Sequence, residues 1–287
     1  MTYVIHGATG AQGAPLAALL AAANKPVVAI ARNAGATVDN ARVVVADYSS
    51  ITDLAEAYCG AEGVFVHLPL GAEDDRRTYA HNIVAAVGEA RPQRVVVSTS
   101  GAVVDDPGSP LQEQADSAIS TLISGLEDID VSHAVIAPRM FLENLLLPSV
   151  IESVGTEGTL RYPLTADFTV SWASHLDVAD TAAALFAQPD VTGVVSVGHC
   201  PAITGPDLAE AFSARLGRDV AYEAISPAVF GTSIASLIGA GAAARVAGLY
   251  QTLATLPDNA ISPESSAQKL LGLVPRTVEQ WLADIGM

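Results

Sequence analysis

Lysine is almost missing from this chain. Lys25 and Lys269 are the only two, and basic side chains total 14 against 31 acidic ones, for a formal net charge of −17. Nucleic-acid binders rely on a basic stripe that meets phosphates, so direct DNA or RNA recognition is excluded as the main function. An anionic membrane surface meets the same repulsion. The acid excess reads as what keeps a soluble protein soluble. Cysteine is as scarce: Cys59 and Cys200 form neither a C-x-x-C pair nor a zinc spacing. The histidines at 6, 67, 81, 133, 175 and 199 show no H-x-x-H or H-x-x-x-H pattern, so no metal is expected. A G-x-S-x-G elbow is absent, which argues against a serine hydrolase. The start, MTYVIHG, has no basic n-region and no cleavage site, so a cytoplasmic location is expected. Between residues 224 and 244 no side chain is charged. That is long enough to test as a membrane span, but Pro227 and several Gly, Ser and Thr interrupt it, and it reads as two short helices.

What is present is a large apolar fraction, 50% of 287 residues against 16% charged. That excludes disorder and fits one large α/β domain, or such a domain with a smaller lobe. Apolar runs and helical patterns alternate: TYVIHG (2–7), APLAALLAAA (14–23), PVVAIAR (26–32), RVVVAD (42–47), ITDLAEAYCG (51–60), GVFVHLP (63–69), a helix over 74–90, RVVVSTSG (94–101), a helix from about 111 to 126, and VSHAVIAP (131–138). Continuous Val/Ile strands between helices predict a parallel sheet covered on both faces. After Pro138 the alternation weakens. FLENLLLPSVIE (141–152) and HLDVADTAAALFAQ (175–188) read as helices, GVVSVG (193–198) as a strand. The expected fold is a Rossmann-type doubly wound parallel sheet with a small C-terminal α/β lobe. Residues 1–145, joined by 170–200, form the first unit, and 146–169 with 201–287 form the substrate lobe.

HGATGAQGAPLAALL (6–20) carries Gly7, Gly10 and Gly13 between the first strand and first helix. In that context Gly7 suits a tight turn, Gly10 lets a pyrophosphate approach the backbone, and Gly13 lets the helix pack close on the sheet. The helix N-terminus offers N–H groups to phosphate. The second strand ends Ala31-Arg32-Asn33, with no acid for ribose hydroxyls. Arg32 is a natural partner for a 2′-phosphate, which favours NADP over NAD; a solvated loop arginine is the plainer reading. Asp47 and Tyr48 close the third strand, where they could meet adenine, although Tyr48 reads equally as a capping aromatic.

With GATGAQG, VVAIARN, the stretch from VVVADYSS to GVFVHLP, PRMFLENLL (138–146), the HLDVADTAAALF helix and SPESSAQKLLGLVPRTVEQWLADI (262–285), the chain resembles the NmrA-like group of atypical short-chain dehydrogenases/reductases, and its C-terminal segment is similar to that of the group's quinone and triphenylmethane dye reductases. The resemblance implies that Gly7, Thr9, Gly10, Ala11 and Gln12 sit on the pyrophosphate and that Arg32 takes the 2′-phosphate. It places Asp47 and Tyr48 by adenine, His67, Leu68 and Pro69 along the cofactor, and Ser98 and Thr99 near the nicotinamide ribose. Arg139, Met140, Phe141 and Asn144 would face the substrate. Arg139-Met140 departs from the group's usual Pro-Gly after the arginine.

Many dehydrogenases of the wider superfamily deliver a proton from a Tyr-x-x-x-Lys pair. No tyrosine in this chain has a lysine four residues on, and LQEQADSAISTLISGL (111–126) contains neither residue. Two functions are therefore expected. One is hydride transfer from NADPH to a quinone-like or other apolar, aromatic acceptor, with geometry supplied by the protein. Thr99, Ser100 and Tyr162 are then candidates to polarise the acceptor; His133 is a further candidate that reads better as a strand-core residue, and Tyr162 also reads as lobe packing. The other is a non-catalytic NADP(H) sensor acting through a protein partner. A homodimer is the default assembly.

Overall fold

The computed structural model describes residues 2–287 apart from Arg32 and Ala34. Seven strands form one parallel sheet: β1 (Thr2–His6), β2 (Val27–Ala31), β3 (Ala41–Val45), β4 (Ala61–His67), β5 (Val95–Ser98), β6 (His133–Pro138) and β7 (Gly193–Val197), in the order β7-β6-β5-β4-β1-β2-β3. The inner strands are buried on both faces, whereas the edge strand β3 is half-exposed. That is why the inner strands read as unbroken apolar runs.

Side chains alternate between two cores. Val4, Val64, Val66, Val95 and Val97 face one, with helices α2 (Ile51–Tyr58), α3 (Glu73–Ala90) and α4 (Ala118–Glu127). Tyr3, Ile5, Phe65, Val96 and Ile136 face the other, with α1 (Gly13–Ala22) and α6 (His175–Ala187). A third core forms the lobe, around Tyr162, Trp172, Phe212, Phe230, Tyr250 and Trp281. It gathers α5 (Pro148–Glu157), α7 (Gly205–Leu216), α8 (Pro227–Ile238), α9 (Ala240–Leu253) and α11 (Val278–Asp284). The short α10 (Ala267–Leu271) returns to the sheet through Ala267.

Two expectations are corrected. The helix expected from about 111 starts at Ala118, because Ser117 caps it by accepting from the Ser120 N–H. The segment expected as one helix over 141–152 is a 3₁₀ turn, Leu142–Leu146, followed by α5, which Pro148 opens from its first turn. The charge-free stretch falls into α8 and the start of α9, separated by Gly239 at φ +85. Among the described residues no helix is long and apolar enough to cross a membrane.

Candidate functional site

Strand order reverses beside β1: β2 and β3 lie on one side, β4 to β7 on the other. Loops leaving the carboxyl ends of β1 and β4 therefore diverge, and a crevice opens between them. Gly7 and His67 stand on either side of it. Gly7 has φ +59, and a Cβ placed there would lie 2.2 Å from His67 Nε2. A Cβ on Gly13 would lie 2.4 Å from the Gly7 carbonyl oxygen. Glycine is thus required at both: Gly7 sits under the His67 ring, and Gly13 seats the start of α1 on the turn itself. Gly10 closes the turn by donating to Gly7 O at 2.8 Å. Thr9, Gly10 and Ala11 are exposed. α1 begins with no side-chain cap and no acid in its first turn, as do α5 and α9, whereas side chains cap α2, α4, α6, α7 and α8. Ala14 N–H turns back to Gly10 O at 3.0 Å and Pro15 has no N–H, so it is the positive dipole end that α1 offers an anion.

Gln12 points inward rather than at the loop's outer side. Its Oε1 accepts from the Ser98 hydroxyl at 2.7 Å, and its Nε2 donates to Ser100 Oγ at 2.9 Å. Ser98 Oγ in turn accepts the Ser100 N–H at 3.2 Å. These bonds use the Ser98 proton but not the Ser100 proton. Ser100 is exposed and held at φ +56, a left-handed conformation unusual for a residue with a side chain. Between the serines, Thr99 is buried, and its Oγ1 has no partner among the described residues.

His67 Nε2 is likewise buried without a partner among the described residues, and burial lowers its pKa, so the ring is neutral at pH 7. Leu68 is buried and Pro69 half-buried behind it. Asp47 is exposed beyond β3, and its carboxylate accepts the Ser49 N–H at 2.8 Å, which holds its pKa below the usual range. Tyr48 is buried, its ring 5.1 Å from His6 and 5.7 Å from Tyr79. Arg32 lies outside the described residues.

On the lobe side, Arg139 is buried and bonds Asp105 at 2.6 Å, and Met140 lies under the Tyr162 hydroxyl at 3.7 Å. Tyr162 is fully buried; its hydroxyl meets that of Tyr250 and the Asn144 side chain. Phe141 is half-buried, its ring 4.4 Å from that of His175 and 4.0 Å from where a Cβ on Gly101 would sit. His133 lies at the amino end of β6, away from the crevice, with Nδ1 on Val131 O at 3.1 Å. A lobe cleft of about 490 Å³ is lined mainly by apolar side chains, among them Pro163, Leu164, Phe168, Ile225 and Pro227, with Asp167 its one charged member.

Two polar residues beside Phe141 were not singled out from the sequence, although both stand inside motifs read there: Glu143 in PRMFLENLL and His175 in HLDVAD. Glu143 Oε1 accepts the His175 backbone N–H at 2.9 Å and the Trp281 indole N–H at 3.3 Å, while Oε2 is buried with no partner among the described residues. The periodicity of these segments shows a helix start and an apolar face; it carries no sign that this acid and this base meet.

Residues 1–282 match the profile of the NmrA-like family. The chain belongs to the NmrA-like family. An NAD(P)H azoreductase from Xenophilus azovorans is 28% identical over 232 residues, which is 78% of this chain and 77% of that protein. Among solved structures, an NADPH-dependent quinone oxidoreductase from Escherichia coli, complexed with NADPH, superposes with a TM-score of 0.77 at 21% identity, covering 99% of each chain. The triphenylmethane reductase of Citrobacter sp. superposes at 0.80 with 16% identity over 100% of both chains. The likeness to both structures lies in the fold, so the residues of this NmrA-like crevice stand on their own geometry.

Proposed function

We propose that this NmrA-like protein is an NADP(H)-dependent oxidoreductase that reduces a small apolar or aromatic acceptor, quinone-like in its chemistry. The observation that carries this reading is the Gly7–Gly13 turn packed against His67 at the β1/β4 crevice, in front of a helix without a side-chain cap. The orphaned His67 Nε2 and Thr99 Oγ1 line the same strand ends, and a ribose or amide would satisfy them. NADPH, when bound, supplies the hydride. Thr9 and Ala11 hold the pyrophosphate through backbone N–H groups, Gly10, whose own N–H is spent on Gly7 O, leaves room for its approach, and Arg32, on its sequence position, holds the 2′-phosphate. Asp47 flanks the adenine with the rim of the Tyr48 loop, and Leu68 and Pro69 exclude water behind the cofactor.

Ser100 serves the acceptor. Gln12 fixes its oxygen, and its remaining proton is available for a hydrogen bond to an acceptor oxygen. Thr99 completes the ribose side. Tyr162 serves as the sealed back wall of the lobe rather than as a donor, because both faces of its hydroxyl are committed inside the core. Phe141, Met140 and Asn144 form the acceptor side, and Arg139 ties that wall to Asp105. Residues 1–145 with 170–200 hold the cofactor, and 146–169 with 201–287 close over the acceptor. The names of the three relatives described above, all reductases or oxidoreductases, favour turnover over a sensing role. The test is NADPH consumption, followed by absorbance, against quinones, azo compounds and triarylmethane dyes, with NADH in parallel. Turnover that prefers NADPH is expected. NADPH binding with no turnover of any acceptor would overturn the enzymatic reading.

A further inference from the structure

The missing tyrosine–lysine pair leaves a question of chemistry. Reduction of a quinone or azo group needs a proton as well as a hydride, and Ser100 is too weak an acid to give one up. We propose that His175 is the proton donor to the reduced acceptor and that Glu143 feeds it, an inference that rests on the oxidoreductase reading above.

Chain topology brings the pair together. Met140–Phe141, just after β6, pairs in parallel with Trp172–Ala173, just before α6. Glu143 and His175 therefore leave neighbouring strands side by side at the carboxyl end of the sheet. The His175 ring packs on Phe141, which in turn covers Gly101, the residue after Ser100. His67 is near enough for the two charges to oppose each other. The His175 ring nitrogens make no hydrogen bond among the described residues; Nδ1 lies 3.8 Å from Glu143 Oε1. Glu143 is held in place by two N–H donors on one oxygen, and its other oxygen is orphaned.

The electrostatics agree with the geometry. Burial and His67 push the His175 pKa down to about 4, and its place in the first turn of α6 acts in the same direction. Burial and the charge of Asp177 push the Glu143 carboxyl upward against its two N–H donors. Asp177 is itself paired with Arg276 at 3.0 Å. A neutral imidazole thus stands beside a carboxyl that resists ionisation.

Once the acceptor has received its hydride, its negative oxygen or nitrogen takes the Nε2 proton of His175. Nδ1 takes the carboxyl proton of Glu143; before the next turnover Nδ1 returns that proton to the carboxylate while Nε2 takes a new one from water. One proton is consumed per hydride, and the imidazole ends neutral. The 3.8 Å gap closes to hydrogen-bond length on acceptor binding, as acid–base contacts often do.

The test compares two acceptors in wild type, His175→Asn, Glu143→Gln and Glu143→Leu. A quinone needs hydride and proton; a triarylmethane cation takes a hydride at carbon and needs no proton. The expected result is a fall of about 100-fold in kcat on the quinone relative to the dye for His175→Asn and Glu143→Gln, with NADPH affinity by fluorescence titration within twofold. The wild-type quinone rate should fall as pH rises through the Glu143 ionisation, and Glu143→Gln should flatten that limb. Equal losses on both acceptors, or a Glu143→Gln enzyme that keeps the wild-type rate and profile while Glu143→Leu fails, would overturn the proposal and leave Glu143 a structural prop. If wild type binds NADPH and turns over nothing, the oxidoreductase reading fails and takes this proposal with it.

Discussion

Replacing Arg139 by methionine should destabilise the protein far more than it impairs the chemistry. The guanidinium is 4% exposed, and its partner Asp105 11%. The second Asp105 oxygen accepts from Ser196 at 2.8 Å, and Ser196 meets the Ser265 hydroxyl at 2.9 Å. One ion pair therefore ties the loop after β5 to the end of β6, to β7 and to the C-terminal segment. Removing the cation leaves a carboxylate with one hydroxyl donor in a buried site, at a cost of roughly 3–5 kcal/mol. Domains are stable by roughly 5–15 kcal/mol, and at about 2–3 °C per kcal/mol the melting temperature should drop by roughly 6–15 °C. Circular dichroism during thermal and urea unfolding measures this. Adding Asp105→Asn to Arg139→Met should recover part of the loss, since the buried charge then disappears. At a temperature where both proteins are folded, kcat/KM should stay within about threefold. A variant with wild-type stability and a collapsed KM for the acceptor would refute this reasoning and return Arg139 to the acceptor pocket, where its place in the sequence suggests it belongs.

Three further outcomes are expected. Gly13→Ala sets a Cβ 2.4 Å from the Gly7 carbonyl, so α1 must lift from the turn; NADPH affinity measured by calorimetry should fall at least tenfold, about 1.4 kcal/mol. Arg32→Glu should weaken NADPH by roughly ten- to a hundredfold, the worth of a charge-assisted hydrogen bond, and leave NADH equal or better; an unchanged NADPH affinity would remove Arg32 from the 2′-phosphate. His6, fully buried against the Tyr58 hydroxyl at 2.8 Å, has its pKa lowered from 6.5 to about 3. The unfolded chain binds that proton first, so this stability is whole above pH 6.5 and is lost as pH falls toward 3. Urea midpoints between pH 7.5 and 4.5 should decline, and His6→Asn should make the decline shallower.

The first half of this fold was legible because its signals are local. Val/Ile runs, a glycine turn and a helix with Pro15 in its first turn all sit within consecutive residues, and parallel strands buried on both faces leave an unmistakable apolar pattern. Gly7, Gly13 and His67 converge on one crevice, although only Gly7 and Gly13 announce their purpose in the sequence. The direction of Gln12 was not legible. It faces Ser98 and Ser100, 86 and 88 positions away, rather than the outer side of the loop. Tyr48 and Tyr162 have the right neighbours in sequence for a binding surface, yet both rings are spent on the core, where a large apolar ring gains more than at a rim. Glu143 and His175 meet only through pairing of Met140–Phe141 with Trp172–Ala173, and Arg276 reaches Asp177 and Asp180 only through the return of the C-terminal segment to α6. No periodicity encodes such meetings, which is why the acid–base pair beside the crevice emerges only in three dimensions.

The chemistry proposed for the β1/β4 crevice is hydride transfer from NADPH to a small acceptor held there. The most direct measurement uses NADPH deuterated at the transferring position and a triarylmethane dye, whose reduced carbon cannot exchange its label with water. Mass spectrometry of the bleached dye should show one deuterium per molecule, with NADPH consumed in equal amount and NADH a poorer source. A dye that stays coloured while the protein binds NADPH, or a bleached product carrying no deuterium, would rule out hydride transfer from NADPH at this crevice.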